Sequence, residues 1–176
     1  MKSYYLLAMT MTLALVFSCK DTISDTASSD HSRIYFEREY VNFAWGYVHF
    51  GWFIDSSGQV ISYDIAKSGD RWVANPSGYY TEEQLWIKIH HMDTLRSSVP
   101  ADTLQFLRGL AQNAVAGTSS DTICAGADMG AHSYSCYVFQ ADSSKFRRIV
   151  LRVEGDCSYH NTSQSAITLA TWMAQR

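Results

Sequence analysis

The segment Tyr47–Ala66, YVHFGWFIDSSGQVISYDIA, decides the fold, because it has the pattern of two strands joined by a tight turn. Asp55–Gly58 supplies the turn, since Asp and Ser favour its start and Gly58 tolerates positive φ at its end. A four-residue loop pairs Ile54 with Gln59 and gathers the apolar side chains of both strands on one face. We expect this register. A three-residue loop with a bulge at Gly58, which shifts the pairing by one residue, is the alternative.

The sequence on either side of this hairpin predicts further strands and then helices. Strands are expected at residues 33–41, 133–140 and 146–153, and helices over 81–92, from about 100 to 116 and after 161. Thr81–Gln84 has the form of a capping box, which begins the first helix. The order βββ-αα-ββ-α, with hairpin-length connections, predicts an α+β fold: a mostly antiparallel sheet with the helices packed on one face.

The composition is that of a globular protein with a modest negative charge. The chain has 176 residues, of which 47% are hydrophobic and 18% charged, and its formal net charge is −3. This length accommodates one ordinary domain, which we assign to residues 33–176, and a targeting segment. The charge gives no reason to expect nucleic acid as a partner. The sequence carries no recognised catalytic or cofactor-binding signature, so no cofactor and no metal site are expected.

Residues 1–18 have the pattern of a secretory signal peptide. Lys2 is the only charged residue before an uncharged stretch that runs from Ser3 to Ser18. That stretch is too short to span a bilayer core of about 30 Å comfortably as a permanent helix. Residues 20–32 are rich in Ser, Thr and Asp and lack periodicity, which is typical of a flexible polar tether.

The end of the leader resembles a bacterial lipobox. In Val16–Cys19, VFSC, the cysteine follows a small residue and is the position that becomes acylated in lipoproteins. Lys20 and Asp21 directly after it look like the start of exported lipoproteins of the Bacteroidota. The resemblance to these lipoproteins covers about the first 30 residues and the Asp-Thr pairs described below, and it does not extend to the folded domain. It implies acyl chains (palmitate) on Cys19 that anchor the protein to a membrane of the cell envelope, on the periplasmic face or the cell surface of the outer membrane. An ordinary secretory signal with a chance cysteine is the alternative.

Asp-Thr pairs recur along the chain, and each is followed by Ile, Ala or Leu. They are similar to the short O-glycosylation acceptor motif of exported Bacteroidota proteins, and this resemblance implies glycosylation of Thr22 and Thr26 in the tether. Asp-Thr is also favourable in turns and helix caps, which accounts for the pairs near Asp93 and Asp102.

Without Cys19, three cysteines remain. An odd number in an oxidising compartment indicates one disulfide and one spare thiol. Pairing of the last two predicted strands places Cys136 inside the sheet, whereas Cys124 and Cys157 lie in loops beyond one end of it. We therefore expect a Cys124–Cys157 disulfide, with Cys124–Cys136 or three reduced thiols as the alternatives.

His49 and Asp64 form the polar pair of greatest chemical interest. The expected register sets them opposite each other, where a carboxylate can orient an imidazole, although such cross-strand pairs more often stabilise a sheet. His90 and His91, close to Asp93, are weaker metal ligands, because adjacent residues on a helix point about 100° apart.

Aromatic residues make up 14% of the chain, and many lie between Tyr35 and Tyr80. Phe36, Phe50 and Trp52 are expected in the core. One sheet face cannot bury all the others, so we expect an exposed platform suited to stacking on sugar rings or holding a peptide. Its members are Trp45, Tyr47, Trp72, Tyr79 and Tyr80. The alternative is that these rings simply cover the open face of the sheet.

The favoured hypothesis is a lipid-anchored envelope protein whose domain binds a glycan, peptide or protein through this aromatic surface, with His49 and Asp64 beside it. It predicts that Trp45 and Trp72 share an exposed patch. A small envelope hydrolase that uses His49 and Asp64 is one alternative. An inhibitor or assembly factor, with residues 67–80 as its protruding loop, is another.

Overall fold

The computed structural model describes residues 33–69, 71–89 and 92–176, which form one antiparallel sheet with helices on its faces. The strands are β1 Ile34–Asn42, β2 Val48–Ile54, β3 Gln59–Asp64, β4 Tyr79–Tyr80, β5 Met92–Ser98, β6 Ile123–Cys124, β7 Ala131–Gln140, β8 Lys145–Gly155 and β9 Cys157–His160. The helices are α1 Glu82–Ile89, α2 Ala101–Ala114 and α3 Gln164–Ala174. The expected α+β class with a mostly antiparallel sheet is confirmed. The expected signal peptide (1–18) and tether (19–32) lie outside the described residues.

Strand β1 lies in the middle of the sheet and organises it. The strand order is β5-β3-β2-β1-β7-β8-β9-β6, and β4 pairs with β8. Strands β1, β2 and β3 form a meander, in which β2 and β3 lie on one side of β1. The chain then passes through α1, β5 and α2 before β7 pairs with the other side of β1. Strand β1 therefore has a hydrogen-bonded neighbour on each edge and a packed layer over parts of both faces.

Alternate residues of β1 point into two different cores. Ile34 belongs to the core beneath α2 and α3, which contribute Leu107 and Leu169. Tyr35 packs against a second core on the other face, where α1 contributes Leu85. Helices α2 and α3 share one face, and α1 adds cover to the opposite one.

The turn between β2 and β3 adopts the alternative register. Ile54 pairs with Val60 rather than Gln59, and the backbone N–H of Asp55 donates to the carbonyl of Gln59 at 3.1 Å. Gly58 has a φ of +87°, as a three-residue loop with a bulge requires. The expected register is wrong because it assumed that only one face of this hairpin is covered. Both faces carry a core, so apolar side chains occupy both.

Helix α1 begins where the capping box predicts. The Gln84 side chain accepts from the Thr81 backbone N–H at 2.9 Å, and the Thr81 hydroxyl accepts from the Gln84 N–H at 3.1 Å. The helix was expected to extend to Met92, but this residue instead begins β5, which pairs with β3 at the edge of the sheet. The free edge of β3 thus outweighs the helix pattern. His90 and His91 lie outside the described residues.

The expected Cys124–Cys157 disulfide is confirmed. The two residues pair directly on β6 and β9, short strands where the sequence predicted loops. Cys136 is reduced and buried in β7, and burial raises the pKa of its thiol to about 12. No helix in the described ranges is long and apolar enough to cross a membrane.

Candidate functional site

Two acidic side chains of β1 lie in the second core, where charged groups are rare. Glu37 is fully buried and Glu39 is 5% exposed. They point to the same face because they are two positions apart on a strand. Buried carboxylates need hydrogen bonds and opposite charges. The structure supplies both from β2, β3, β7, β8 and α1.

Glu37 accepts hydrogen bonds on both carboxylate oxygens. The Tyr63 hydroxyl donates to Oε1 and the Tyr137 hydroxyl to Oε2, each at 2.6 Å. Lys88 Nζ lies 2.6 Å from Oε1. Burial raises the pKa of both tyrosines well above the usual value, and the Glu37 carboxylate raises it further, so both phenols remain protonated donors.

Glu39 has a denser set of partners. Lys88 Nζ donates to its Oε2 at 2.6 Å, and His49 Nε2 lies 3.0 Å from the same oxygen. Its Oε1 accepts from the Ser133 hydroxyl at 2.9 Å and from the Arg148 guanidinium. Burial opposes the charge of Glu39, but Lys88 and Arg148 outweigh it and hold the pKa of this carboxyl well below its usual range.

These groups form what we call the charged cluster. Its members are Glu37, Glu39, His49, Lys88 and Arg148. The two carboxylates are balanced by one ammonium and one guanidinium. Lys88 is 1% exposed, and its Nζ also lies 3.8 Å from the ring centroid of Trp72. Its members are bonded to one another, and Glu37, Glu39, His49 and Lys88 are buried, so the cluster links α1 to the central strands.

His49 bonds Glu39 and Tyr47 rather than Asp64. Its Nε2 faces Glu39, and its Nδ1 lies 2.9 Å from the Tyr47 hydroxyl. A single ring proton on Nε2 satisfies both bonds when Tyr47 donates to Nδ1. In the observed register Asp64 points to the opposite face. The expected His49–Asp64 pair is therefore wrong, and the hydrolase alternative loses the geometry on which it depended.

The aromatic residues expected on a platform occupy different environments. Trp45 is 85% exposed in the loop after β1, and Tyr79 is 38% exposed on β4. Tyr80 is 2% exposed, so its expected exposure is wrong: it packs in the second core. Tyr47 and Trp72 are half-buried. Trp72 stacks on Tyr80 with 5.7 Å between ring centroids, and its backbone N–H donates to the Tyr47 hydroxyl at 3.3 Å. These contacts hold Trp72 inward, away from an exposed patch with Trp45.

A cavity of about 400 Å³ lies on the other face of the same strands, next to the end of α3. We call it the sheet pocket. Glu39, Gly51 and Tyr63 contribute backbone to its floor, since Gly51 has no side chain and the side chains of Glu39 and Tyr63 point to the opposite face. Its walls include Arg38, Tyr40, Phe50, Asp64, His132 and Arg176.

Aromatic rings form one wall of the sheet pocket. The Tyr40 ring centroid lies 5.3 Å from that of Phe50 and 4.7 Å from that of His132. Phe50 is 44% exposed, so its expected place in the core is wrong. Helices α2 and α3, which cover this face, do not reach the first half of β2, where Phe50 lies. Burial lowers the pKa of His132, and the nearby Arg38 guanidinium lowers it further, which keeps the imidazole neutral at pH 7.

Sequence reasoning missed both the charged cluster and the sheet pocket. A signal for the cluster was present: Glu37 and Glu39 fall on one face of a strand rich in aromatic and aliphatic residues, and Lys88 lies one helical turn from the apolar Leu85. The sequence offers no comparable signal for the pocket, because the pocket depends on where α3 ends above the sheet.

Comparisons with protein-family models, curated proteins and solved structures find no match. The description of the site therefore rests on its geometry. In the described ranges, no three His, Cys, Asp or Glu side chains are grouped so as to hold a metal ion.

Proposed function

We propose that this protein is a binding domain and that the sheet pocket is its ligand site. The supporting observation is a cavity of about 400 Å³ with partly exposed rings on one wall and polar side chains on the others. Small-molecule sites commonly measure about 300–1,000 Å³ and combine an apolar wall with a few orienting polar groups. The charged cluster lies directly behind the pocket floor and fixes the strands that form it, which favours a site that exists before the ligand arrives.

The ligand that suits this wall carries a ring. Phe50 presents an exposed ring beside Tyr40, and sugar rings and aromatic side chains of peptides both stack on such surfaces. The ligand classes expected from the sequence, a glycan or a peptide, therefore stay in the proposal. The proposed contact residues change from the Trp72 and Tyr80 surface to the Phe50 surface on the other face of the sheet.

Intrinsic tryptophan fluorescence tests the proposal, because Trp52 lies at the pocket wall. The full-length protein is titrated against a panel of glycans and aromatic peptides. We expect a saturable change for at least one of them, with affinity at least tenfold weaker in Phe50→Ala. Phe43→Ala is the matched control, since Phe43 is 67% exposed outside the pocket. No response to any ligand, or an equal loss in both variants, contradicts the proposal. If the affinity falls in Trp45→Ala but not in Phe50→Ala or Phe43→Ala, the binding site is the loop after β1.

We also propose that the protein is anchored at the cell envelope through acylated Cys19, with Thr22 and Thr26 glycosylated. The leader and tether patterns support this location. The Cys124–Cys157 disulfide supports it independently, because disulfides persist in oxidising compartments. Mass spectrometry of protein from the cells that produce it should find an N-terminal acylated cysteine and hexose-bearing tether peptides. Cys19→Ser should move the protein to the soluble fraction. An unprocessed leader contradicts the anchor.

A further inference from the structure

We infer that the sheet pocket takes a small organic anion, a ring-bearing molecule with a carboxylate, sulfate or phosphate group. The inference rests on the proposed function and narrows it to a ligand class. It depends on which charged side chains line the pocket and on which of them already have partners.

Arg38 is the first cation of the pocket. It lies on β1 between Glu37 and Glu39 but points to the opposite face from both. Its guanidinium lies 5.8 Å from the ring centroid of Tyr134, on the pocket side of the sheet. Among the residues that the structure describes, no carboxylate lies within ion-pair distance of Arg38.

Arg176 is the second cation. It follows α3 at the rim of the pocket, and its guanidinium lies 4.3 Å from the ring centroid of Trp172. Stacking on Trp172 holds the guanidinium plane without consuming its hydrogen-bond donors in an ion pair. Two guanidinium groups that approach one cavity from a strand and from a helix end are suited to an anionic group, because each can present two parallel N–H donors.

The acidic residues of the lining do not cancel this charge. Asp64 Oδ2 lies 3.3 Å from Lys67 Nζ, so this carboxylate is paired at the pocket wall. The carboxylate of Glu39 lies on the other face, where Lys88 and Arg148 neutralise it. The charged side chains of the lining therefore sum to a net positive charge, on a chain whose formal net charge is −3. A concave site with low-dielectric walls concentrates such a field and attracts anions to it.

Two fluorescent probes of similar shape separate charge from ring stacking. The first is 8-anilinonaphthalene-1-sulfonate, an aromatic anion. The second is its uncharged relative, N-phenyl-1-naphthylamine. Both are titrated into the folded full chain carrying Cys19→Ser, so that no lipid takes up the dye. We expect the sulfonate to bind at least tenfold more tightly, although general apolar association favours the uncharged probe.

Arginine variants then assign the site. Arg38→Gln and Arg176→Gln should each weaken sulfonate binding about tenfold and leave the uncharged probe unchanged. Arg38→Lys should lose less affinity for the sulfonate than Arg38→Gln does, since lysine keeps the positive charge. Arg147→Gln is the matched control, because Arg147 lies on β8 opposite Val138, toward the other end of the sheet. Each variant is used only if its melting temperature matches that of the parent.

The outcomes separate this inference from the proposed function. Both probes could bind with equal affinity, and that affinity could fall in Phe50→Ala but stay unchanged in the arginine variants. The pocket would then bind rings without regard to charge, and the anion inference would be overturned. If neither probe binds, or if Phe50→Ala changes the affinity for neither, the anion inference is overturned, and the titration with glycans and aromatic peptides decides the proposed function separately. Loss of sulfonate binding in the arginine and Phe50 variants, with Arg147→Gln unchanged, supports both.

Discussion

Replacing Lys88 by methionine tests whether the charged cluster stabilises the fold. Lys88 Nζ lies 2.6 Å from a carboxylate oxygen of each of Glu37 and Glu39, in a site where the lysine is 1% exposed. Lys88→Met keeps an unbranched side chain, one atom shorter than that of lysine, and removes its charge. Two buried carboxylates then face Arg148 as their remaining cation, and one negative charge is left uncompensated out of contact with water.

The expected cost is large. Removing one partner of a buried ion pair typically destabilises a protein by about 3–5 kcal/mol. For a domain of this size that loss lowers the melting temperature by roughly 10–15 °C. Lys145→Met is the matched control: Lys145 is exposed at the start of β8, and surface substitutions usually change stability by less than about 0.5 kcal/mol.

Urea unfolding followed by far-ultraviolet circular dichroism measures both variants, and a double-mutant cycle isolates the pair. Glu37→Gln removes the facing charge while it keeps the side-chain size. The double variant Lys88→Met with Glu37→Gln should therefore be about 1–3 kcal/mol more stable than the sum of the single losses predicts. A loss below about 1 kcal/mol in Lys88→Met, or a coupling energy near zero, would refute the reasoning.

Further predictions concern pH, the cysteines and the pocket floor. Because folding lowers the pKa of Glu39, its contribution to stability is complete above its unfolded value of 4.5 and is lost as pH falls below it. The urea concentration at the unfolding midpoint should therefore decrease as the pH falls below 4.5. An equally steep decrease in Glu39→Gln would show that Glu39 is not the group responsible. Reduction of Cys124–Cys157, which are 33 residues apart, should cost about 3–4 kcal/mol, measured as the difference in unfolding free energy with and without reductant. An unchanged value contradicts it. Cys136 should react with a thiol reagent only after denaturation, and rapid reaction in the native protein means that β7 opens. Gly51→Ala should destabilise by about 1–3 kcal/mol in the same urea assay, because a Cβ there meets the backbone of β1. A neutral effect contradicts the close strand approach.

Local chemistry explains which elements the sequence predicted well. The capping box at Thr81 and the disulfide between Cys124 and Cys157 depend on a few residues and on the order of the strands, and both are confirmed. The edge strand β5 was missed because its pairing partner, β3, is distant in sequence and the preceding residues have a helix pattern. Edge pairing is a tertiary effect that outweighs local propensity.

The candidate site was harder to predict because it depends on which faces are covered. The rule that one hairpin face is apolar led to the wrong register at Ile54 and so to the His49–Asp64 pair. Once both faces are known to be packed, the same sequence predicts that Glu37, Glu39 and His49 share a buried face, where carboxylates need cations. The sequence shows the carboxylates but not that Lys88 and Arg148 reach them, because helix α1 and strand β8 come from distant parts of the chain.

The two faces of β1 are linked through charge. Arg38 is flanked in sequence by Glu37 and Glu39, which in an extended surface segment are close enough to weaken its attraction for an anion. Strand alternation points both carboxylates away from it, and Lys88 and Arg148 then neutralise them on the far face. The buried cations thus do more than stabilise the core. By occupying the carboxylates they leave the Arg38 guanidinium without a competing partner from its own strand, and the positive character of the sheet pocket follows from the way the opposite face is packed.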